Sequence, residues 1–508
     1  MLTLDGGPLG IDDVVAVARR GEPVAVSPAV TDRMRPSREA VARIDAGNEV
    51  AYGVTTGFGA LADRAVGREQ REALQRALVL SHAAGMGPAL DAEVVRGMLL
   101  LRARTLAAGH SGVRRELVEA LAVLLNSGPL PWVPERGSLG ASGDLAPLAH
   151  AAATLLGEGW FVGDGGEPVA SAPVLEGRGL PPLRLVPKEG LALINGTDAS
   201  TAALALAVRD VESLLRAADC ACAMSVEALL GTSRPFAPDV AALRPAPGQQ
   251  ASAENIAALL TGSPMVASHR ESHHAVQDAY SLRCAPQVHG AARDVVAFCR
   301  TTVEREMASI VDNPVVLDGE VVSAGNFHAQ ALAYAADMLA AVCADVAAIS
   351  ERRVDRLLDP SRSRGLPAFL SPDPGLNSGF MIAQYTAAAT VAALRHAAAP
   401  LAVHSAVTSA GQEDHVSMSF EAARRTRASV PMLRSVLAVE LCCAAQALEL
   451  RAPLRPAPAT AALLEAVRAI VAPLREDRVL AGDLAALEGW VNREGFEAAA
   501  AGAAGPLR

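Results

Sequence analysis

Three small residues, Ala141-Ser142-Gly143, contain no acid, base or thiol, yet their sizes allow unusual chemistry. Gly143 has no side chain to keep its backbone nitrogen from the carbonyl carbon of Ala141. Attack there with loss of water closes a five-membered imidazolone ring. Loss of a second water from Ser142 leaves a methylidene carbon, an electrophile made from the chain itself. The same letters also describe a tight turn that feeds a helix, with Asp144 as a good N-cap and Pro147 tolerable in a first turn. A helix starting there sets its positive dipole end beside the loop and strengthens any electron demand in it.

Other groups invite a chemical reading beside an ordinary one. Tyr52 sits in Ala51-Tyr52-Gly53-Val54-Thr55-Thr56-Gly57-Phe58-Gly59-Ala60, a glycine-rich loop. It is either a half-buried anchor or a phenol exchanging a proton on a flexible lid. His82, after Ser81 at the end of a helix, is a cap or a polar contact. Asn195, before Gly196, satisfies backbone at a helix start or faces a ligand. Tyr280 and Arg283, three apart, share a helix face, and the guanidinium fork suits a carboxylate. The triplet Gln412-Glu413-Asp414 is a solvated loop or a set of acceptors. His269, His273 and His274 have helix spacing, but Glu271 falls off the shared face and H-E-x-x-H is lacking. That pattern reads as solvated surface, and no metal is expected.

Several runs together resemble the aromatic amino acid ammonia-lyases, whose Ala-Ser-Gly matures into methylidene-imidazolone (MIO). They are Gly140-Ala141-Ser142-Gly143-Asp144-Leu145-Ala146-Pro147-Leu148-Ala149-His150, the Tyr52 loop, Glu189 to Thr197, Gln277 to Gln287, and Gln412-Glu413-Asp414-His415-Val416-Ser417-Met418. The resemblance extends from about Val24 to about Leu480, and Ser81-His82 with the Gln412 run is similar to the histidine branch. It implies MIO formed from Ala141, Ser142 and Gly143, with no metal or diffusible cofactor. Tyr52 is then the catalytic base, which requires a depressed phenol pKa that the helix ends help supply. Tyr280 and Gln277 line the MIO, Arg283 holds the substrate carboxylate, and Asn195 lies near the MIO carbonyl. Phe327 is a pocket wall, while His82 and Glu413 read the substrate ring. The implied reaction eliminates ammonia from L-histidine to give trans-urocanate. The implied fold is mainly α, of the fumarase/aspartase-like superfamily, with a long central helical bundle and an N-terminal active-site region. The implied assembly is a homotetramer with sites shared between chains. The sequence departs from the pattern at Thr55, Ala279, Gly411 and Ala329-Gln330-Ala331. Tyrosine ammonia-lyase or aminomutase activity on the same scaffold, and a non-catalytic helical paralogue, stay open as alternatives.

The elements that must position these groups are legible in outline. Across 508 residues, 51% are hydrophobic and only 3% aromatic, which favours close-packed helices. A strand is expected at Pro23–Ser27 and a helix from Ser37. Further helices are expected near 71–80, as a pair within 89–127, and at 145–157 and 198–231. Residues 157–187 read as a surface excursion with a hairpin, and 235–275 as looser chain. Long helices are expected at 287–311, 327–358, 378–406 and 420–451, and a small helical cap beyond 452. The expected division is 1–200, carrying the lid and MIO loops, and 201–508, the bundle with its cap. The net charge of −10 without a basic run argues against nucleic acid or an anionic membrane as partner. The apolar stretch 327–350 contains Asp337 and Asp345 and reads as a buried bundle helix, not a membrane span. Seven cysteines without a C-x-x-C pair, and an N-terminus without a signal pattern, point to the cytoplasm.

Overall fold

A computed structural model of the chain describes residues 1–508 apart from 48 and 273–275. His273 and His274 therefore lie outside the described residues. The chain is mostly helical, and the strands described pair only as two-stranded ribbons. Two compact units are formed. The first comprises 1–207, 300–337 and 400–427, and the second 208–299, 338–399 and 428–508. Four long helices, Asp198–Ala228, Ala285–Ala308, Gln330–Leu358 and Ser419–Leu450, each contribute residues to both units.

In the first unit the parallel pair Leu2–Leu4 and Val24–Val26 is followed by a helix at Ala29–Ala46. That helix begins earlier than Ser37 and continues through Pro36. Val30, Met34, Ser37, Val41 and Ile44 are buried along it at helical spacing, so one apolar face runs past the proline. Packing of that face outweighs the roughly 3 kcal/mol a proline costs inside a helix. Helices Arg71–His82, Ala92–Ala107 and Leu145–Leu155 follow, and the excursion after them carries an antiparallel ribbon, Trp160–Val162 with Pro168–Ala170.

Buried polar groups fix the turns of this unit. Gln75, fully buried, accepts from the Gly190 and Leu191 amides and donates to the Gly53 carbonyl at 3.3 Å. It thereby ties the helix ending at His82 to the Tyr52 loop. Lys188, also fully buried, donates to Asp312 Oδ2 at 2.8 Å, and burial holds its ammonium below the usual range. Arg102 donates to the Asn195 carbonyl at 2.7 Å and to the Val311 carbonyl at 2.8 Å.

The second unit is helical apart from its turns. Its core includes Cys220, Cys222 and Val226, and Arg353 donates to Glu440 from within it, both fully buried. Ser225 and Ser350 complete the acceptors of Glu440 at 2.7 and 2.6 Å. The segment 235–275, expected to be loose, contains a 13-residue helix, Pro247–Leu259. Pro247 occupies its first turn, where the missing amide costs nothing, so the proline starts an element that it was expected to exclude. All seven cysteines are free thiols, and six are buried.

Among the described residues, three helical stretches are long and apolar enough to cross a membrane by length and composition, Glu189–Ala228, Gln330–Leu358 and Ser419–Leu450. Their apolar windows are 100%, 61% and 72% buried inside the fold, so these faces are covered largely by protein.

Candidate active site

Residues 137–144 form an irregular loop that ends where the helix Leu145–Leu155 begins. Three helix N-termini face it. One is that of the following helix. A second is the start of Asp198–Ala228, whose Ser200 amide donates to Asp144 Oδ2 at 2.7 Å. The third is the start of Ser419–Leu450, just after Met418, whose amide donates to the Leu139 carbonyl at 2.9 Å. The loop therefore lies among positive helix poles.

Asp144 holds the N-cap position but does not cap its own helix. Its carboxylate turns instead to Ser200, taking the amide and, at 2.9 Å, the hydroxyl, and it accepts from Ser138 Oγ at 3.0 Å. Burial outweighs these three donors and pushes its carboxyl up to about 7.

Gly143 is buried with φ +73°. A Cβ added there would lie 2.4 Å from the Gly196 oxygen and 2.6 Å from its carbon, both backbone atoms. Only glycine fits, for conformation and for space. Ala141 is buried and Ser142 half-buried.

A cavity of about 510 Å³ opens beside this loop. Tyr52, Ala141, Ser142, Phe327 and Glu413 all line it. Asn313, His328 and His415, to which the sequence assigned no role, line it too. The His328 and His415 rings stack at 5.8 Å with planes 2° apart, and His328 Nε2 contacts the His415 carbonyl at 3.1 Å. His415 belongs to the Gln412 run, but the pairing joins segments distant in sequence and leaves no local signal.

The Tyr52 phenol oxygen accepts from the Gly59 amide at 3.1 Å, and its ring packs edge-on to Phe58 at 6.2 Å. The expected depression of its pKa is not found. Burial raises it and the charge of Glu413 adds to the rise, while the Gly59 amide opposes both. His82 ends its helix with Nδ1 against the Leu78 carbonyl at 2.9 Å. It does not line the cavity but feels the charge of Glu413, and burial holds its imidazole below the usual range.

Asn195 is buried behind the cavity wall. Its amide nitrogen donates to the Asn313 carbonyl at 3.0 Å, and its Oδ1 has no hydrogen-bond partner among the described residues. Glu413 accepts from Thr408 Oγ1 at 2.7 Å across an isolated antiparallel bridge.

Gln277, Tyr280 and Arg283 belong to the second unit and do not line this cavity. Arg283 lies over the Tyr280 ring at 4.7 Å and donates through Nε to the Asp278 carbonyl at 2.9 Å. Asp278 in turn accepts from the Thr232 amide and from Arg364 at 2.7 and 2.9 Å. Tyr280 is 70% exposed, and Gln277 lines a separate hollow of about 490 Å³ in the same unit. Among the described residues no group of three or more His, Cys, Asp or Glu side chains is placed to hold a metal ion.

Comparison with known proteins gives this arrangement its context. The chain is 49% identical over 512 residues to a histidine ammonia-lyase of Streptomyces coelicolor, spanning all of both proteins. The solved tyrosine aminomutase of Streptomyces globisporus matches it with TM-score 0.93 at 38% identity, covering all of both chains. The solved histidine ammonia-lyase of Trypanosoma cruzi matches with TM-score 0.90 at 38% identity, covering 98% of this chain and 94% of that one. The sequence profile of the aromatic amino acid lyases matches residues 9–469, and the chain belongs to that family.

Proposed function

We propose that this chain is a carbon–nitrogen lyase that converts L-histidine to trans-urocanate and ammonia, using MIO matured from Ala141, Ser142 and Gly143. The observation that carries the proposal is the single cavity shared by Ala141, Ser142, Tyr52 and Glu413. It puts an electrophile precursor, a phenol and a ring acceptor around one volume.

The residues present fit the group. Gly143 occupies a cradle that a Cβ would fill against the Gly196 backbone, so the position whose nitrogen must close the ring admits only glycine. Asn195 Oδ1, buried and without a partner, has spare hydrogen-bonding capacity behind the loop. MIO supplies an electrophilic carbon that turns the substrate amine into a better leaving group.

The chain's own side chains do the rest. Tyr52 as phenolate takes the β-proton of histidine, and the Gly59 amide stabilises the charge on its oxygen. The bound substrate brings a cationic amine that offsets the rise imposed by burial and by Glu413. Glu413 accepts the imidazole N–H, with His82 as a second polar neighbour. A phenyl ring cannot donate to Glu413 and leaves its carboxylate desolvated without that partner.

Arg283 clamps the substrate carboxylate from another subunit of a homotetramer. Two observations support this. None of the described residues lining the cavity is Lys or Arg. Tyr280 and Arg283 form a cation–π pair with Tyr280 exposed, and neither is among the residues lining the cavity. Free thiols throughout suit a cytoplasmic setting.

The test combines intact mass with product analysis. Purified protein should be lighter than its sequence by two waters and should release ammonia from histidine, not from phenylalanine or tyrosine. The likeness to a tyrosine aminomutase makes that activity the second reading, and β-tyrosine formed from tyrosine, with histidine inert, would establish it instead.

A further inference from the structure

We propose that Thr408 is a positioning residue for ring recognition, holding the Glu413 carboxylate in the orientation that meets an imidazole N–H. The inference rests on the histidine reading of the cavity and adds a residue to it. Thr408 and Glu413 form an isolated antiparallel bridge, with the Thr408 amide donating to the Glu413 carbonyl at 2.9 Å. The Glu413 amide returns a bond to the Thr408 carbonyl at 3.3 Å. Across this bridge Thr408 Oγ1 donates to Glu413 Oε2 at 2.7 Å. Oε2 is thereby engaged, and Glu413 lines the cavity with Oε1 not used by this bond.

The loop closing the bridge is unusual in a way that supports a built device. Ser409, Ala410 and Gly411 have φ of 50°, 51° and 92°, three successive residues in a region that non-glycine residues avoid. Strain of this kind persists where the surrounding structure enforces it. Ser409 provides part of that enforcement. Its Oγ accepts the Ala60 amide at 3.2 Å and lies against Gly59, where an added Cβ would come within 2.5 Å of it. Gly59 is the residue whose amide reaches the Tyr52 phenol. The turn that aims Glu413 is thus docked on the turn that aims Tyr52.

A glutamate freed from Thr408 spreads over several side-chain rotamers, and apparent affinity falls with the fraction still aimed correctly. The experiment measures urocanate and cinnamate binding by calorimetry in a Ser142→Ala background, where no electrophile forms. Cinnamate has the same acid chain on a ring without an N–H. Thr408→Val should weaken urocanate roughly tenfold and leave cinnamate within about twofold, while Thr408→Ser should restore urocanate binding. In protein with Ser142 intact, the loss should fall on KM for histidine and not on kcat. Equal weakening of both ligands, or unchanged urocanate binding in Thr408→Val, would overturn the inference. Failure of the parent protein to bind urocanate would overturn the histidine reading first, and this inference with it. Urocanate binding by Ser142→Ala protein whose unmutated parent shows no loss of water would count against MIO alone.

Discussion

Replacing Gly143 with alanine probes the proposed maturation directly. An L-residue held at φ +73° costs about 1–2 kcal/mol relative to glycine. The added carbon would also stand 2.4 Å from the Gly196 oxygen, which is fixed by the Asp144 amide at 2.6 Å. Overpacking against atoms that cannot turn aside adds about 1–3 kcal/mol. The native placement of residue 143 is then disfavoured by a combined 2–5 kcal/mol or so. If ring closure needs that placement, it slows by roughly thirty- to five-thousand-fold. The assay is the time course of intact mass after synthesis, with ammonia release measured on the same samples. The unaltered chain should lose two waters, and Gly143→Ala should retain its full mass while keeping native far-ultraviolet circular dichroism. Gly143→Ala protein that loses both waters as fast as the parent and turns over histidine normally would refute the reasoning, because crowding at Gly196 would then have no part in maturation.

Glu413→Gln should raise KM for histidine by roughly an order of magnitude through loss of a charged acceptor. It should also move the rising limb of the kcat/KM pH profile toward acid, because the carboxylate raises the Tyr52 pKa and its removal lowers it. An unmoved limb would separate Tyr52 from proton transfer. Asp144, raised from 3.8 to about 7, disfavours its charged form in the folded state, so its neutral-form stability is complete below pH 3.8 and is lost as pH rises to about 7. The difference in stability between Asp144→Asn and the parent should therefore shift in the variant's favour by up to about 4 kcal/mol between pH 4 and 7 and level off above, and parallel pH profiles would contradict it. Co-expressing Tyr52→Phe with Arg283→Ala should recover activity that neither variant has alone if sites draw on more than one subunit, and absence of recovery in a verified mixed oligomer would place all the groups within one chain.

What could be read in the sequence follows the range of the forces involved. The helices at 71–82, 145–155 and 419–450 declare themselves through apolar spacing and end signals that act over a few residues. The same reasoning misjudged Pro36, because the face buried beneath Ala29–Ala46 is a tertiary matter. It also misjudged Asp144, which sits in a capping position while its carboxylate serves Ser200, a partner set by how two helix starts meet. At the site, residue type drew notice to Ala141-Ser142-Gly143 and the Tyr52 loop, and the family resemblance gave them their chemical reading over an ordinary turn and an ordinary anchor. Thr408 carried no such signal, since its importance depends on a bridge closed by three positive φ angles that no local propensity favours.

The electrostatic character of the cavity argues for the kind of molecule it receives. Glu413 and Asp414 line it, Tyr52 as the proposed base must become an anion, and none of the described lining residues is Lys or Arg. An empty pocket of this sort resists its own chemistry, since the charge on Glu413 makes the phenol harder to ionise. A substrate with a cationic amine and a ring N–H relieves both problems, neutralising the acceptors as it enters. Its carboxylate, by contrast, meets no Lys or Arg among the described lining residues, which is the counter-charge the proposed Arg283 clamp would supply. A pocket tuned to repel anions until a guanidinium arrives gains specificity as well as chemistry, because a simple amine lacking the carboxylate has no use for that arginine. On the proposed reading the cavity serves the amine and the ring and Arg283 serves the carboxylate, and neither alone accounts for an amino acid.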